Sequence, residues 1–169
     1  MWKNKLLISV RASLFGILFA LAGSFAAAQS TNLAFGAIKA DPSLPVEVTA
    51  DSLDVNQEDG SAEFRGNVEV GQGPMRLSAA RVLVIYDETR RQIQRMEAVG
   101  DVVLVNGPDA AEAERADYSI DTGVIVMSGD VLLTQGGNAL TSDRMTVNLT
   151  TGTAQMNGRV RTILNPDNN

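Results

Sequence analysis

The stretch Ala50-Asp51-Ser52-Leu53-Asp54-Val55-Asn56, followed after a polar turn by Ala62-Glu63-Phe64-Arg65-Gly66-Asn67-Val68-Glu69-Val70, decides the fold of this 169-residue chain. Apolar and polar residues alternate in both segments. Alternation with a period of two indicates strands that have one apolar and one polar face. The intervening Gln57-Glu58-Asp59-Gly60 is a turn sequence. The stretch therefore predicts two antiparallel strands joined by a hairpin.

The same layout recurs three more times along the chain. Each copy leads to a glycine that is followed by one polar residue and then a valine, and these glycines (Gly66, Gly100, Gly129 and Gly158) lie 34, 29 and 29 positions apart. This spacing is typical of stacked supersecondary units. A glycine within an alternating strand has no side chain to pack, so it indicates a bulge or bend. Because one strand pair cannot bury its apolar face alone, the copies predict an all-β fold whose repeated antiparallel strands share one interior.

The alternation also changes phase within the copies. Val48 and Leu53 have opposite parity, which predicts a bulge or corner near Ala50 and Asp51, and a second change falls at Ala80. Between residues 82 and 86 both faces are apolar, so the pattern there leaves the inward face undecided.

The composition excludes several classes of function. The chain has no cysteine, which rules out disulfides, and no histidine, which rules out histidine-based acid/base and metal chemistry. Glu112 and Glu114 could be taken for a glycosidase pair, but they merely share one face of an alternating segment beside a loop. We therefore expect neither an enzyme nor a cofactor.

The N-terminus has the charged, apolar and small-residue order of a secretory signal peptide. Lys3, Lys5 and Arg11 precede an apolar run that ends in three alanines, which predicts cleavage between Ala28 and Gln29. The alternative is a retained membrane anchor, because residues 12–28 are uncharged. The predicted division is a signal peptide at 1–28, a flexible leader at 29–44, the β-domain at 45–165 and a disordered tail at 166–169.

Charge argues against nucleic acid as a partner. Removal of the three signal-peptide cations leaves 11 positive and 20 negative side chains, a net charge of about −9 in the mature chain. Arginines do gather between residues 76 and 95, where they could bind phosphate or simply form a solvated polar face, and we favour the polar face.

Three aspartates fall at the same place in three copies: Asp51, Asp117 and Asp143, with Arg81 at that place in the second copy. Repeated aspartates can bind calcium, but calcium-binding β-repeats are much shorter than these. We therefore expect turn and corner carboxylates bonded to nearby backbone amides, and no metal site.

Five segments together resemble the OstA-like family of periplasmic lipopolysaccharide transport proteins. They are Leu44–Asp51, Ala62–Val68, Ala79–Val82, Val126–Val131 and Thr141–Met145, and the resemblance extends from about Leu44 to Leu164. It implies an open, twisted β-jellyroll in the periplasm whose apolar groove holds the acyl chains of lipopolysaccharide (lipid A). It also implies a bridge between the two membranes, in which edge strands pair head to tail with further copies, with LptC and with the amino-terminal domain of LptD.

The groove implied by this resemblance is lined by apolar positions that flank the glycines and continue their parity. They are Val46, Val48, Phe64, Val68, Val70, Leu77, Ala98, Val102, Leu104, Tyr118, Ile120, Met127, Val131, Leu133, Met145, Val147, Met156 and Val160. Two alternatives stay open: a membrane-anchored sibling similar to LptC, and a structural or assembly module of the same fold that binds no lipid and has a closed, fully packed interior.

Overall fold

A computed structural model describes residues 31–34, 43–87, 89 and 92–164 of the chain. These residues form eleven strands: β1 Thr31–Ala34, β2 Glu47–Thr49, β3 Ser52–Asn56, β4 Ser61–Gln72, β5 Met75–Tyr86, β6 Ile93–Asn106, β7 Asp109–Ser119, β8 Val124–Gln135, β9 Asn138–Asn148, β10 Thr153–Asn157 and β11 Arg161–Ile163. Within the described part of the chain no helix is long and apolar enough to cross a membrane. The predicted signal peptide and tail lie outside the described residues.

All strands belong to one antiparallel sheet, which confirms the all-β prediction. From β4 to β10 each strand pairs with its neighbours in sequence. Short bent strands complete both ends of this meander, with β2 and β3 together lining β4 at one end and β10 and β11 together lining β9 at the other. β1 adds to the outer side of β10. Thr31–Ala34 therefore form a strand, although the sequence predicts a flexible leader there.

A line of corners divides the sheet into two leaves. We call leaf A the part that contains β3 and β10, and leaf B the part that contains β2 and β11; the long strands contribute one half to each. The pairing register shifts at the corner in every long strand pair, for example between Arg65 and Val68 of β4. The break between β2 and β3 at Ala50 and Asp51 and the shift at Ala80 agree with the predicted phase changes.

Each of the four repeated glycines makes a corner together with the residue after it. Both members of each pair have positive φ: Gly66 and Asn67, Gly100 and Asp101, Gly129 and Asp130, Gly158 and Arg159. Asn and Asp tolerate this left-handed region better than most residues, which explains three of the four second members. The glycines therefore mark bulges, as the sequence predicts.

The residue opposite each glycine approaches it too closely for a side chain. An added Cβ would lie 2.4 Å from a carboxylate oxygen of Asp51 at Gly66, 2.5 Å from one of Glu114 at Gly129, and 2.4 Å from one of Asp143 at Gly158. The assignment of Asp117 to this set is wrong. Because Arg115 pairs with Ser128 and Glu112 with Leu132, the corner residue of β7 is Glu114.

Candidate functional site: the apolar interior

The inner faces of the two leaves enclose one apolar interior. Val82, Met96 and Tyr118 from leaf A line the same internal space as Val70 and Leu77 from leaf B. The undecided segment of β5 is settled by this packing, since Val82 and Val84 are buried and Leu83 and Ile85 lie on the outer face, only partly covered. The sheet is thus folded at its corners so that one continuous apolar lining faces inward.

The structure brings most of the predicted lining positions together in this interior. Those that are buried are Val68, Val70, Leu77, Ala98, Val102, Leu104, Tyr118, Met127, Val131, Leu133, Met145, Val147 and Met156. Val46, Val48, Phe64 and Ile120 are partly buried and pack against it. Val160 is different: it lies between β10 and β11 and is 38% exposed, because β11 is short and no described strand covers its outer side.

Methionine is the characteristic side chain of the interior. Apart from Met1, every methionine of the chain is buried there: Met75, Met96, Met127, Met145 and Met156. Met145 pairs across the sheet with both Met127 and Met156, so three of them form a row over β8, β9 and β10. Methionine has an unbranched, polarisable side chain that fills irregular space and adapts to different neighbours. The sequence prediction omitted Met75 and Met96, whose parity in their strands could have identified them.

The cavity between the leaves is nearly filled in this structure. The space lined by Val82, Met96 and Tyr118 of leaf A and by Val70 and Leu77 of leaf B has a volume of only about 10 Å³, about what a single water molecule needs. No acyl chain fits in that space at the present separation of the leaves. A ligand there requires the two leaves to move apart.

Apolar side chains of the inner face become exposed at the first end of the sheet. Leu53 and Val55 of β3 pair with Phe64 and Ala62 and therefore continue the inner face, yet they are 53% and 63% exposed. The lining therefore extends to this end of the sheet, where it meets solvent. The predicted lining does not include Leu53 and Val55, although their alternation is visible in the sequence.

A short polar network joins the two leaves on the side opposite the corners. The Tyr118 hydroxyl of leaf A donates to Gln72 Oε1 of leaf B at 2.9 Å, and Gln72 Nε2 donates to the Leu44 carbonyl oxygen at 3.1 Å. Burial raises the pKa of the Tyr118 phenol, and its hydrogen bond to Gln72 opposes that effect, so the hydroxyl is a donor at neutral pH. This hydrogen bond between the leaves has to break or shift when they separate.

The outer face of leaf A carries a ladder of ion pairs. Arg81 donates to Glu63 at 2.7 Å, Arg95 to Asp117 at 2.7 Å and Arg115 to Glu97 at 2.6 Å. The hydrogen bond from Arg81 lowers the pKa of the Glu63 carboxyl. For Arg81 and Arg95 these contacts support the predicted solvated polar face rather than a phosphate site, whereas Arg90 and Arg91 lie outside the described residues.

Metal binding receives no support from the part of the chain that the structure describes. It contains no group of three or more acidic, histidine or cysteine residues placed to hold an ion. At the last corner the Asp143 carboxylate instead accepts two hydrogen bonds from Arg159, at 2.6 and 2.9 Å, and these lower its pKa.

Comparison with known proteins identifies the family of this chain and supports its fold. Residues 47–153 match the family described as "LptA/(LptD N-terminal domain) LPS transport protein". The chain is 28% identical over 127 residues to the uncharacterized protein R00383 of Rhizobium meliloti (strain 1021), an alignment that covers 71% of this chain and 68% of that protein. Among solved structures, LptH of Pseudomonas aeruginosa, described as the LptA homologous periplasmic component of the lipopolysaccharide transport device, has the same fold. The TM-score is 0.68 at 19% identity, covering 75% of this chain and 99% of that one.

Proposed function

Because the chain belongs to the LptA/LptD N-terminal domain family of lipopolysaccharide transport proteins, we propose that it carries lipopolysaccharide across the periplasm by holding the acyl chains of lipid A between its two leaves. The observation that carries this proposal is the apolar inner face shared by the two leaves, which reaches solvent at Leu53 and Val55 of β3. Sugars and phosphates of the lipid remain outside. No bond is made or broken, so the chain acts as a carrier and not as an enzyme.

The driving force is the removal of acyl chains from water. Each buried methylene contributes about 0.8 kcal/mol, so ten methylenes contribute about 8 kcal/mol before any cost is subtracted. Separation of the leaves replaces contacts between apolar side chains by contacts with an apolar chain. The buried methionines suit this exchange because they repack around chains of different shape.

The ends of the sheet provide the means to form a bridge. The outer sides of β2, β3 and β11 pair with no other described strand, and an unpaired edge is a template for another chain. In this proposal such edges join further copies head to tail, and they join LptC on the inner-membrane side and the amino-terminal domain of LptD on the outer-membrane side. The inner faces of successive domains would then form one continuous groove.

Site-specific photo-crosslinking in cells that make lipopolysaccharide tests the carrier function. A photoreactive amino acid is placed at Leu53 or Phe64 on the inner face, and at their neighbours Asp54 or Glu63 on the outer face. The inner pair should give lipopolysaccharide adducts and the outer pair should not. Asp54 follows Leu53 in β3, and Glu63 precedes Phe64 in β4. Each outer position therefore differs from its inner neighbour mainly in the face of the sheet on which it lies, which makes it a matched control. Adducts at all four positions, or at none, would contradict the proposal.

The closed interior favours one second candidate, a structural module of the same fold that binds no lipid. It predicts that a photoreactive residue at Met127, which is fully buried, gives no lipid adduct even when lipopolysaccharide is abundant. The carrier function predicts an adduct there. The membrane-anchored, LptC-like alternative is tested separately by the N-terminal sequence of the protein isolated from the periplasm, which begins at Gln29 if the signal peptide is cleaved.

A further inference from the structure

β1 lies at the opposite end of the sheet from the strand that follows it in sequence. It pairs antiparallel with β10, with Thr31 opposite Met156, Asn32 opposite Gln155, and Ala34 opposite Thr153. β2 lies at the far end of the strand order, beyond β4. The chain's own N-terminal strand thus covers half of the last edge of the sheet.

The two ends of the sheet are therefore unequal. At the first end, the outer sides of β2 and β3 have no strand partner among the described residues. At the last end, β10 is covered by β1, while β11 has only β9 as a partner in the same described set. The bent edge formed by β10 and β11 is available for pairing only along its shorter, three-residue part.

The edge that β2 and β3 form in a second copy matches, in length and direction, the edge that β10 and β11 form in the first. β2 has three residues and β3 has five, and they follow each other from leaf B to leaf A. β10 has five residues and β11 has three, and they follow each other from leaf A to leaf B. A second copy's β2 and β3 would therefore run antiparallel to β11 and β10 and continue the alternation of the meander. β1 occupies the place that its β3 would take.

The length of the connection is compatible with β1 belonging to the same molecule. Ala34 and Glu47 are thirteen residues apart, which corresponds to about 43–47 Å when fully extended. The eight steps from β1 to β2 along the sheet correspond to about 38 Å at about 4.8 Å per strand. The separation in sequence is therefore long enough for β1 to pair with β10 of its own molecule.

We propose that β1 is a displaceable cap. It occupies the β10 edge in the free protein, and it has to leave before the β2 and β3 edge of a second copy can pair along the whole of β10 and β11. This inference rests on the proposed head-to-tail joining and adds that the chain's own N-terminal strand regulates it. Because only the uncapped fraction is competent to associate, the apparent affinity between copies falls in proportion to the capping.

Proline substitutions remove the cap without removing residues. Of two adjacent residues in an antiparallel edge strand, one directs its N–H at the partner strand, so Asn32→Pro with Leu33→Pro always deletes a donor from β1. The matched control replaces the same two residues by alanine, which keeps both N–H groups. In sedimentation velocity across a concentration series, the proline variant should associate at about tenfold lower concentration than the wild type. The alanine variant should behave as the wild type.

A reversible lock gives the opposite perturbation. Since the chain has no cysteine, Asn32→Cys with Gln155→Cys introduces one pair at register partners. The oxidised protein should stay monomeric at every concentration, and reduction should restore wild-type association. A mixture of the two single-cysteine variants should form no disulfide between chains. If a disulfide between chains forms in this mixture as fast as the disulfide forms in the double-cysteine variant, β1 comes from a neighbouring copy, and the proposal is overturned.

Lipid crosslinking in the same variants separates this inference from the proposed function. If the proline variant associates no better than the wild type while its inner-face position Leu53 still gives lipopolysaccharide adducts, the cap is refuted and the carrier function stands. If the adducts at Leu53 are absent in wild type and variants alike while the proline variant associates more strongly, the cap stands and the carrier function is refuted.

Discussion

Substitution of Gly100 by alanine tests whether the corners hold the two leaves together. Gly100 has φ of +86°, and an added Cβ would lie 3.0 Å from the Cβ of Ala80 on the neighbouring strand. The left-handed conformation costs an alanine about 1–2 kcal/mol. Ala80 has no rotamer to relieve the contact, so the strands themselves must shift, at about 1–2 kcal/mol more. We expect Gly100→Ala to lower the free energy of unfolding by about 2–4 kcal/mol.

Three further variants separate the conformational contribution from the steric one. Gly107 also has positive φ, +62°, but nothing lies within 4 Å of an added Cβ. Gly107→Ala should therefore lower the free energy of unfolding only by the cost of the left-handed conformation, about 1–2 kcal/mol. Ala80→Gly removes the opposing methyl group and by itself should cost about 0.5–1 kcal/mol. The double variant Ala80→Gly/Gly100→Ala moves one methyl group from one strand to the other. It should be more stable than the sum of the single effects by about 1 kcal/mol or more.

The assay is urea unfolding followed by far-ultraviolet circular dichroism, because the chain's one tryptophan is Trp2, in the predicted signal peptide. Unfolding free energies of the wild type and the four variants are compared at one temperature. If Gly100→Ala and Gly107→Ala lose the same free energy within about 0.5 kcal/mol, or if the double variant shows no coupling, close approach at the corners does not explain the glycines.

Three further predictions concern the interior and the outer face. Met127→Ala, at a fully buried position, should lower the free energy of unfolding by about 2–5 kcal/mol in the same urea assay; a loss below about 1 kcal/mol would mean that the interior is loosely packed. Tyr118→Phe leaves Gln72 without the hydroxyl donor between the leaves and should cost about 1–2 kcal/mol while speeding the uptake of a fluorescent acyl-chain probe; unchanged uptake would show that this bond does not restrain the leaves. Arg81 lowers the pKa of Glu63 below its ordinary value of 4.5, so the stability from this pair is present above pH 4.5 and is lost as the pH falls through the lowered pKa. Arg81→Gln should therefore raise the pKa of Glu63 in a carboxyl NMR titration and weaken the acid dependence of unfolding; an unchanged pKa would contradict the pairing.

The sequence contains the information for the strands and their corners because both depend on local patterns. A period of two sets which residues share a face, and a glycine that must adopt positive φ interrupts that period, so Gly66 and Gly129 could be recognised without a structure. The pairing across a corner could not be read in the same way. Each bulge adds one residue to one strand, and the resulting register depends on the neighbouring strand, which is why Glu114 rather than Asp117 opposes Gly129.

The closure of the interior and the position of β1 could not be predicted either. Whether two apolar faces touch or leave a groove depends on the curvature of the whole sheet, and no single residue determines it. The placement of Val160 outside the buried set depends likewise on the lack of a covering strand beyond β11 among the described residues. Thr31–Ala34 carry only four residues of pattern, too few to reveal a partner more than a hundred positions away.

The order of strands has a consequence for how this chain folds as it is made. From β4 to β10 every strand pairs with the one that precedes it, so each newly emerged strand can add to a sheet that already exists, and only short loops have to close. β1 is the exception. It is the first described strand to be synthesised, and its partner β10 is nearly the last, so it has to remain unpaired until translation is almost complete. Folding can thus proceed in the direction of synthesis, and the final step brings the beginning of the chain to its end.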